Sequence, residues 1–344
     1  MTEDVLIGKE GRAGRITMNR PKALNALTHE MDLVIERALE EWRHDPEVSL
    51  VLMDSVGDRA FCAGGDIAEI YQHGRNGDFV FARAFWADEF RLNAAIGAYP
   101  KPVAVLMRGY VLGGGVGLSG HASHRIVGES SRVAMPECAI GYIPDVGGTH
   151  LLGRAPGRLG EFLGLTGWRM GPADAIAAGF ADVFVPEALW PDLAARLVES
   201  GDPAVIADFA ADPPPSELAD KRAMIDDAFS APDLATLVAR LEASDWGHET
   251  LTALRKGSPL SMAATMALVR ASRQEPGLEL ALARELRAGT RIFEGGDMME
   301  GVRAQVIDKD RNPQWADTID SVTPARVAAL MESLGPDELK LPQA

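Results

Sequence analysis

Basic residues and cysteine are both scarce in this chain, and each shortage excludes something. Lysine and arginine total 34 against 50 aspartates and glutamates, a formal net charge of −16. So acidic a surface repels nucleic-acid backbones and anionic membranes, and neither is expected as a partner. One small anionic ligand in a locally basic pocket stays compatible with that total. Two cysteines, Cys62 and Cys138, are too few for a disulfide framework, and a reduced, cytoplasmic chain is the simpler reading. The opening MTEDVLIGKEGR lacks the basic start and apolar run of a secretory signal. No apolar stretch approaches the ~18 residues of a membrane span. What is present is ordinary: 47% hydrophobic and 24% charged residues describe a globular protein. At roughly 150 residues per domain, the length suggests two domains, or one large domain with an appendage.

The chain changes character near its middle. In the first half, short apolar strands alternate with helical stretches, which implies parallel strands joined by crossovers. Residues 5–7 and 15–18 read as strands around a glycine turn at 11–14. Thr28 reads as the cap of a helix over 29–42, with Met31, Val34, Ile35, Ala38, Leu39 and Trp42 on one stripe. Residues 48–53, 102–107, 124–127 and 132–134 read as further strands, and 79–96 as a long helix. Beyond about residue 184 the pattern is helical, over 189–197, 216–228, 233–243, 259–272 and 278–291. Pro213–Pro214–Pro215 would serve as a hinge or linker. The expected organisation is an α/β core over 1–185 and a helical C-terminal region over 186–344.

Two glycine loops and one acidic loop hold the candidate chemistry. FCAGGDI (61–67) and GGGVGLS (113–119) each follow a strand, and the second opens a short helix. Glycines let backbone N–H groups approach a ligand closely, and one N–H from each loop would polarise a carbonyl and stabilise an oxyanion. The string Gly115-x-Gly117-x-x-Gly120 has the form of a dinucleotide fingerprint, but the next strand follows after barely two helical turns, too soon for that fold. MPECAIGYIPDVGG (135–148) places Glu137 and Asp145 on a loop that Gly141 and two prolines keep from being one helix. The pair would serve as base and nucleophile, or as acid and base. As plain structure, Glu137 would be a solvated acid and Asp145 a helix cap. Ser119 fails the nucleophile-elbow pattern because His121 stands in place of the last glycine. His121 and His124 lack a third ligand for zinc, and Cys62 reads as buried packing.

These elements, in this order, resemble the crotonase (enoyl-CoA hydratase/isomerase) superfamily: RPKALNAL (20–27), AFCAGGDI (60–67), KPVAVLMRGYVLGGGVGL (101–118) and AMPECAIGYIPDVGGTHLL (134–152). The resemblance implies a crotonase-like spiral of repeated ββα units, an α/β fold with a helical C-terminal region. It implies an oxyanion hole for an acyl-CoA thioester, with the N–H groups of Gly65 and Gly114 as donors. RPKALNAL matches the segment that runs along the CoA, so Lys22, Ala23 and Leu24 are carried over as substrate contacts. Lys101 and Arg108 are further candidates for the CoA phosphates. No cofactor is implied, since CoA belongs to the substrate. Simpler members form trimers or dimers of trimers, so a homo-oligomer is an open expectation.

The finer resemblance rests on three positions. Hydratases of this superfamily use two glutamates, one matching Glu137 and one at the position of Gly117, and carry glycine at the position of Asp145. Glu137 with Asp145 instead resembles the 3-hydroxyisobutyryl-CoA hydrolases of valine breakdown, whose longer C-terminal region also matches. Their substrate-contacting glutamate maps to Glu89, in DEFRLN (88–93). The resemblance implies that Glu137 attacks the carbonyl or activates water. Asp145 would orient or deprotonate water, or protonate the leaving thiolate, and Glu89 would accept a hydrogen bond from the substrate hydroxyl. The competing readings are a hydratase or isomerase on the same fold, a non-catalytic acyl-CoA-binding protein, and a thioesterase dependent on Cys62.

Overall fold

The computed structural model describes residues 3–341. β1 (Val5–Glu10) and β2 (Ala13–Met18) pair as an antiparallel hairpin. Its turn is confined to Gly11 and Arg12. Gly14, expected in that turn, lies inside β2, where a Cβ would overlap the Trp42 ring.

The chain then lays down strands in pairs. β3 (Leu50–Ser55) is followed by β4 (Ala60–Cys62), β5 (Val103–Met107) by β6 (Tyr110–Leu112), and β7 (His124–Val127) by β8 (Arg132–Ala134); β9 (Val183–Phe184) closes the series. The first strand of each pair, with β9, extends the hairpin into a six-stranded sheet ordered β1-β2-β3-β5-β7-β9, parallel from β2 onward. The second strands form a smaller parallel sheet, β4-β6-β8. This is the expected spiral of ββα turns. β5, VAVLM, is buried at every position, as a strand covered on both faces should be.

Helices seal both faces. The His29–Arg43 helix begins where Thr28 accepts the Met31 N–H, and it buries Met31, Ile35, Leu39 and Trp42. Trp190–Ser200 covers the outer face of the large sheet against Leu50, Leu52, Leu106 and Ile126. Beyond it, Arg222–Phe229, Leu234–Glu242, Pro259–Gln274 and Leu278–Gly295 fall where periodicity places helices. Three short helices, Gly247–Leu254, Asp297–Val302 and Pro324–Leu330, were not expected, because they are too brief to show a clear stripe. Pro213–Pro215 lie in an irregular stretch after Ala211, which bridges Phe184. The C-terminal helices share the hydrophobic core of the spiral: Phe229 meets Phe162 edge-on at 5.5 Å, and Phe293 meets Trp86 at 5.4 Å. Among the described residues no helix is long and apolar enough to cross a membrane.

The RPKALNAL segment locks onto β4. Leu24 and Asn25 take left-handed conformations, with φ of 53° and 56°. Asparagine tolerates that region better than most residues. The Asn25 amide accepts the Arg20 N–H at 2.7 Å and donates to the carbonyls of Val56 (3.1 Å) and Ala60 (2.8 Å). Replacing Asn25 with Ala strands these groups, and urea unfolding is expected to show a loss of about 2–3 kcal/mol. A change within about 0.5 kcal/mol would show that the lock is dispensable.

Candidate active site

The two glycine loops meet at the ends of β4 and β6. Gly64, with φ of +104°, and Gly113, with φ of +48°, turn the backbone in ways that favour glycine. A Cβ on Gly114 would stand 3.3 Å from the Gly65 nitrogen, and one on Gly115 would overlap the Cys62 carbonyl. The RPKALNAL segment holds the first loop in place. Leu27 N–H donates to the Gly64 carbonyl (2.9 Å), Ala63 N–H to Leu24 (3.1 Å), and the Arg20 guanidinium reaches Asp66 at 3.1 Å. Among the described residues, the N–H groups of Gly65 and Gly114 have no protein acceptor. They are adjacent donors facing one cavity.

That cavity, of about 350 Å³, is lined by both loops, by Phe85, Trp86 and Glu89 of the Phe79–Gly97 helix, and by Glu137, Tyr142 and Asp145. Trp86 stacks on Tyr142 at 5.1 Å and makes an apolar wall. Lys256, Met298 and Gln305 complete the lining, so the C-terminal region of the same chain contributes to the site. Glu137 opens a short 3-10 turn, Glu137–Ile140, that ends at left-handed Gly141. Glu89 Oε1 would lie 2.6 Å from a Cβ on Gly114, and Glu137 Oε1 2.7 Å from one on Gly113. Both carboxyl groups therefore abut the glycine loop itself.

The carboxyl groups are buried together, and their electrostatics follow from that. Burial pushes Glu89 up to about 8. Glu137 is also pushed up to about 8, first by burial and then by the charges of Glu285 and Glu89. Asp145 is held well above the usual carboxylate range by burial, then by Glu89, Glu137 and Glu285. Asp32, on the neighbouring helix, is likewise raised well above its ordinary value by burial and by Glu89. Such a cluster cannot ionise fully at neutral pH, so protonated and ionised carboxyls coexist in it.

Gly117 has no space for a side chain. A Cβ there would stand 2.8 Å from Val146 Cβ and 2.8 Å from Asn93 Nδ2. The position at which the resemblance places a second glutamate is thus packed solid, by a valine held at φ of 52°.

Several candidates fall elsewhere. Asp145 does not cap the following helix, Gly148–Arg154; Glu285 does, accepting the N–H groups of Gly147 (2.7 Å) and Thr149 (2.9 Å). Glu137 is buried, not solvated. Lys22 and Ala23 are exposed and Leu24 half-buried; none of them lines the cavity, although their segment braces its first loop. Lys101 is not free for a phosphate, because its ammonium donates to the carbonyls of Trp42, in the last turn of the His29–Arg43 helix, and of Asp45 just past it (2.7 Å). Arg108 pairs with Glu187 at 2.9 Å and lies over the Trp190 ring. Ser119 donates back to Gly115 at 2.7 Å, and His121 Nε2 donates to the Val146 carbonyl at 2.8 Å. His124 lies in β7 beside Ser123. Cys62 is buried, and burial pushes its thiol up to about 12. Glu285 and Lys256 went unnoticed in the sequence: both belong to the region without motifs, and Glu285's partners lie far away in the chain.

The sequence matches the Enoyl-CoA hydratase/isomerase family over residues 13–331. It is 39% identical to a Xenopus tropicalis protein called 3-hydroxyisobutyryl-CoA hydrolase, mitochondrial, across 98% of this chain and 91% of that relative. The fold superposes on the crystal structure of an enoyl-CoA hydratase from Rhodobacter sphaeroides with a TM-score of 0.94 at 51% identity, covering 98% of this chain and 100% of that one. A carnitinyl-CoA dehydratase from Mycobacterium thermoresistibile gives a TM-score of 0.94 at 41% identity, over 98% and 99% of the two chains. The likeness takes in the C-terminal helices as well as the spiral.

The packing at Gly117 is open to test. Gly117→Ala forces a methyl group against Val146 and Asn93, and differential scanning calorimetry is expected to show a loss of about 1–3 kcal/mol. An unchanged melting temperature would mean that the site has room for a side chain after all.

Proposed function

The chain belongs to the enoyl-CoA hydratase/isomerase family, and within it we propose that it hydrolyses 3-hydroxyisobutyryl-CoA to 3-hydroxyisobutyrate and CoA. The observation that carries this reading is the filled space at Gly117, set beside Asp145 on the cavity wall. Hydration by two glutamates needs a carboxylate at position 117. Here that partner is replaced by packed apolar surface, and a carboxyl group enters from position 145 instead. The names of the relatives include a hydratase, a dehydratase and a hydrolase, and this arrangement favours the last.

The thioester oxygen would lie between the N–H groups of Gly65 and Gly114. As the carbonyl carbon becomes tetrahedral, its oxygen takes negative charge, which two fixed donors stabilise; losing one such donor costs about 2.7–4 kcal/mol in comparable sites. Glu137 either attacks the acyl carbon or takes a proton from the attacking water, and both routes reach the same products. Breaking the C–S bond leaves a thiolate. A neutral carboxyl at Asp145 can supply its proton, and burial among like charges is what keeps that group neutral. In the attack route, water then cleaves the acyl–Glu137 anhydride and one of its protons returns to Asp145; in the base route, the proton held by Glu137 returns to Asp145. Either way the carboxylate product, one proton and the CoA thiol are released. The reaction needs no cofactor beyond the CoA of the substrate.

Specificity would come from Glu89 and the apolar wall. Glu89 Oε1 is buried without a protein partner, close to Gly114, where it can accept a hydrogen bond from a substrate hydroxyl. Phe85, Trp86 and Tyr142 surround the branched carbon chain. A site built to pair a hydroxyl discriminates strongly against an acyl group that lacks it. Lys22, Ala23 and Leu24 remain contacts for the CoA beyond the cavity.

Thiol release followed with a thiol-reactive dye tests the reading. Release from 3-hydroxyisobutyryl-CoA is expected at a kcat/KM at least about 100-fold above that for isobutyryl-CoA. Hydration of crotonyl-CoA without thiol release would establish the hydratase reading instead, and binding without turnover would mark a non-catalytic protein. Glu137→Gln and Asp145→Asn are each expected to reduce kcat by about 1,000-fold or more, whereas Cys62→Ala keeps the wild-type rate. Since Glu137 is pushed up to about 8 and must ionise to act, kcat should rise from about pH 6 to about pH 8.5. A flat profile over that range would remove Glu137 from the rate-limiting step.

A further inference from the structure

Glu285 lies mid-way along the Leu278–Gly295 helix, remote in sequence from every motif of the site, and it is fully buried. Its carboxylate reaches across to the turn that follows Asp145. Oε2 accepts the Gly147 N–H at 2.7 Å, and Oε1 accepts both the Thr149 N–H at 2.9 Å and the Thr149 hydroxyl. These donors belong to the start of the Gly148–Arg154 helix, which has no capping side chain of its own because Gly147 occupies the cap position. The turn itself is not self-supporting. Val146 is held at φ of 52°, a region disfavoured for a β-branched residue, and its carbonyl is tied by His121. Gly147 has no room for a side chain, since a Cβ would come within 2.5 Å of His121 Nε2. Glu285 on one side and His121 on the other therefore hold the backbone that carries Asp145.

We propose that Glu285 is a positioning residue of the reaction: it fixes the turn 145–149 so that Asp145 meets Glu137 at the cavity wall, which makes the Leu278–Gly295 helix part of the catalytic unit. The proposal rests on the assignment of Glu137 and Asp145 as the reacting pair. All three of Glu285's partners are donors, the set that an ionised carboxylate accepts best. Burial pushes Glu285 itself up to about 7 against the pull of those donors, and in its ionised form its charge acts on the reacting pair, because an anion nearby favours the neutral form of a carboxyl group. The titratable groups around the turn are Glu89 from the Phe79–Gly97 helix, Glu137 and Tyr142 from the preceding loop, His121 from the end of the Gly114–Gly120 helix, and His150 from its own helix. Burial lowers His121 to about 4, so it supplies no compensating cation.

Glu285→Gln keeps the shape, removes the charge, and turns an amide N–H toward a backbone N–H. The expected result is a kcat for thiol release lower by about ten- to hundredfold, with KM within about twofold, and an acid limb of the kcat profile moved to lower pH. The Asp145 midpoint, followed by carboxyl ¹³C NMR in the substrate-free protein and assigned with Asp145→Asn, should move down as well. Glu285→Asp keeps the charge but shortens the reach, so the limb should stay in place while kcat falls. Wild-type kcat in Glu285→Gln, with limb and midpoint unmoved, overturns the proposal whatever the melting temperature. If Glu285→Gln does not fold, wild-type kcat in Glu285→Asp overturns it. Absence of thiol release in the wild type defeats the hydrolase reading alone, and the NMR midpoint still decides the role of Glu285.

Discussion

Between the Gly64–Gly65 turn and the helix that starts at Gly114, two backbones approach until a methyl group on Gly115 would overlap the Cys62 carbonyl. This closeness sets the rest of the site. It requires β4 and β6 to be neighbours in a parallel sheet, so that both loops leave the same end. It requires a brace behind the first loop, which the Arg20–Leu27 segment provides through backbone hydrogen bonds and the Arg20–Asp66 pair. It also leaves two N–H groups side by side facing a cavity, a geometry that side chains on either loop would destroy. The larger sheet, the helices and the core serve to hold that approach.

Around those donors the protein gathers carboxyl groups and supplies little positive charge. Glu89, Glu137, Asp145 and Glu285 are all buried, and Lys256 is the basic residue on the cavity wall. Each group raises the proton affinity of its neighbours, so the site stores protons at a pH where isolated carboxyls have lost them. Glu285 differs in its surroundings. Burial still pushes its carboxyl up to about 7, but three hydrogen-bond donors work against that rise, so it gives up its proton more readily than Glu89 or Glu137.

The parts of this arrangement legible in the sequence are those that depend on local chemistry. Strands β7 and β8 and the Thr28-capped helix fall where alternation and capping place them, and the glycine loops announce themselves by composition. Glu89, Glu137 and Asp145 reach one cavity because each lies on an element that the spiral brings to the same edge. What stayed hidden depends on distant partners. No local pattern tells that Glu285 caps a helix 138 residues away, or that Lys101 is engaged by carbonyls at the C-terminal end of the His29–Arg43 helix. Arg108 looks free until Glu187 arrives from another turn of the spiral. Lysines and arginines on an acidic protein invite assignment to an anionic ligand, and only packing shows which ones are already engaged. Lys256 escaped notice for the opposite reason, since its loop between two C-terminal helices has no recognisable motif.

Val146 bears on how such sites diverge. Its side chain occupies the volume over Gly117, its strained backbone depends on His121, and the turn it belongs to carries Asp145. A residue introduced at 117 therefore meets a wall that also orients the group at 145. Exchanging one chemistry for the other on this fold demands coordinated replacement at 117, 146 and 145, because any one change alone disturbs the packing before it supplies the new function. Intermediates along such a path would lose stability or activity first. A side chain regained at 117 would have to displace Val146, and with it the turn that carries Asp145.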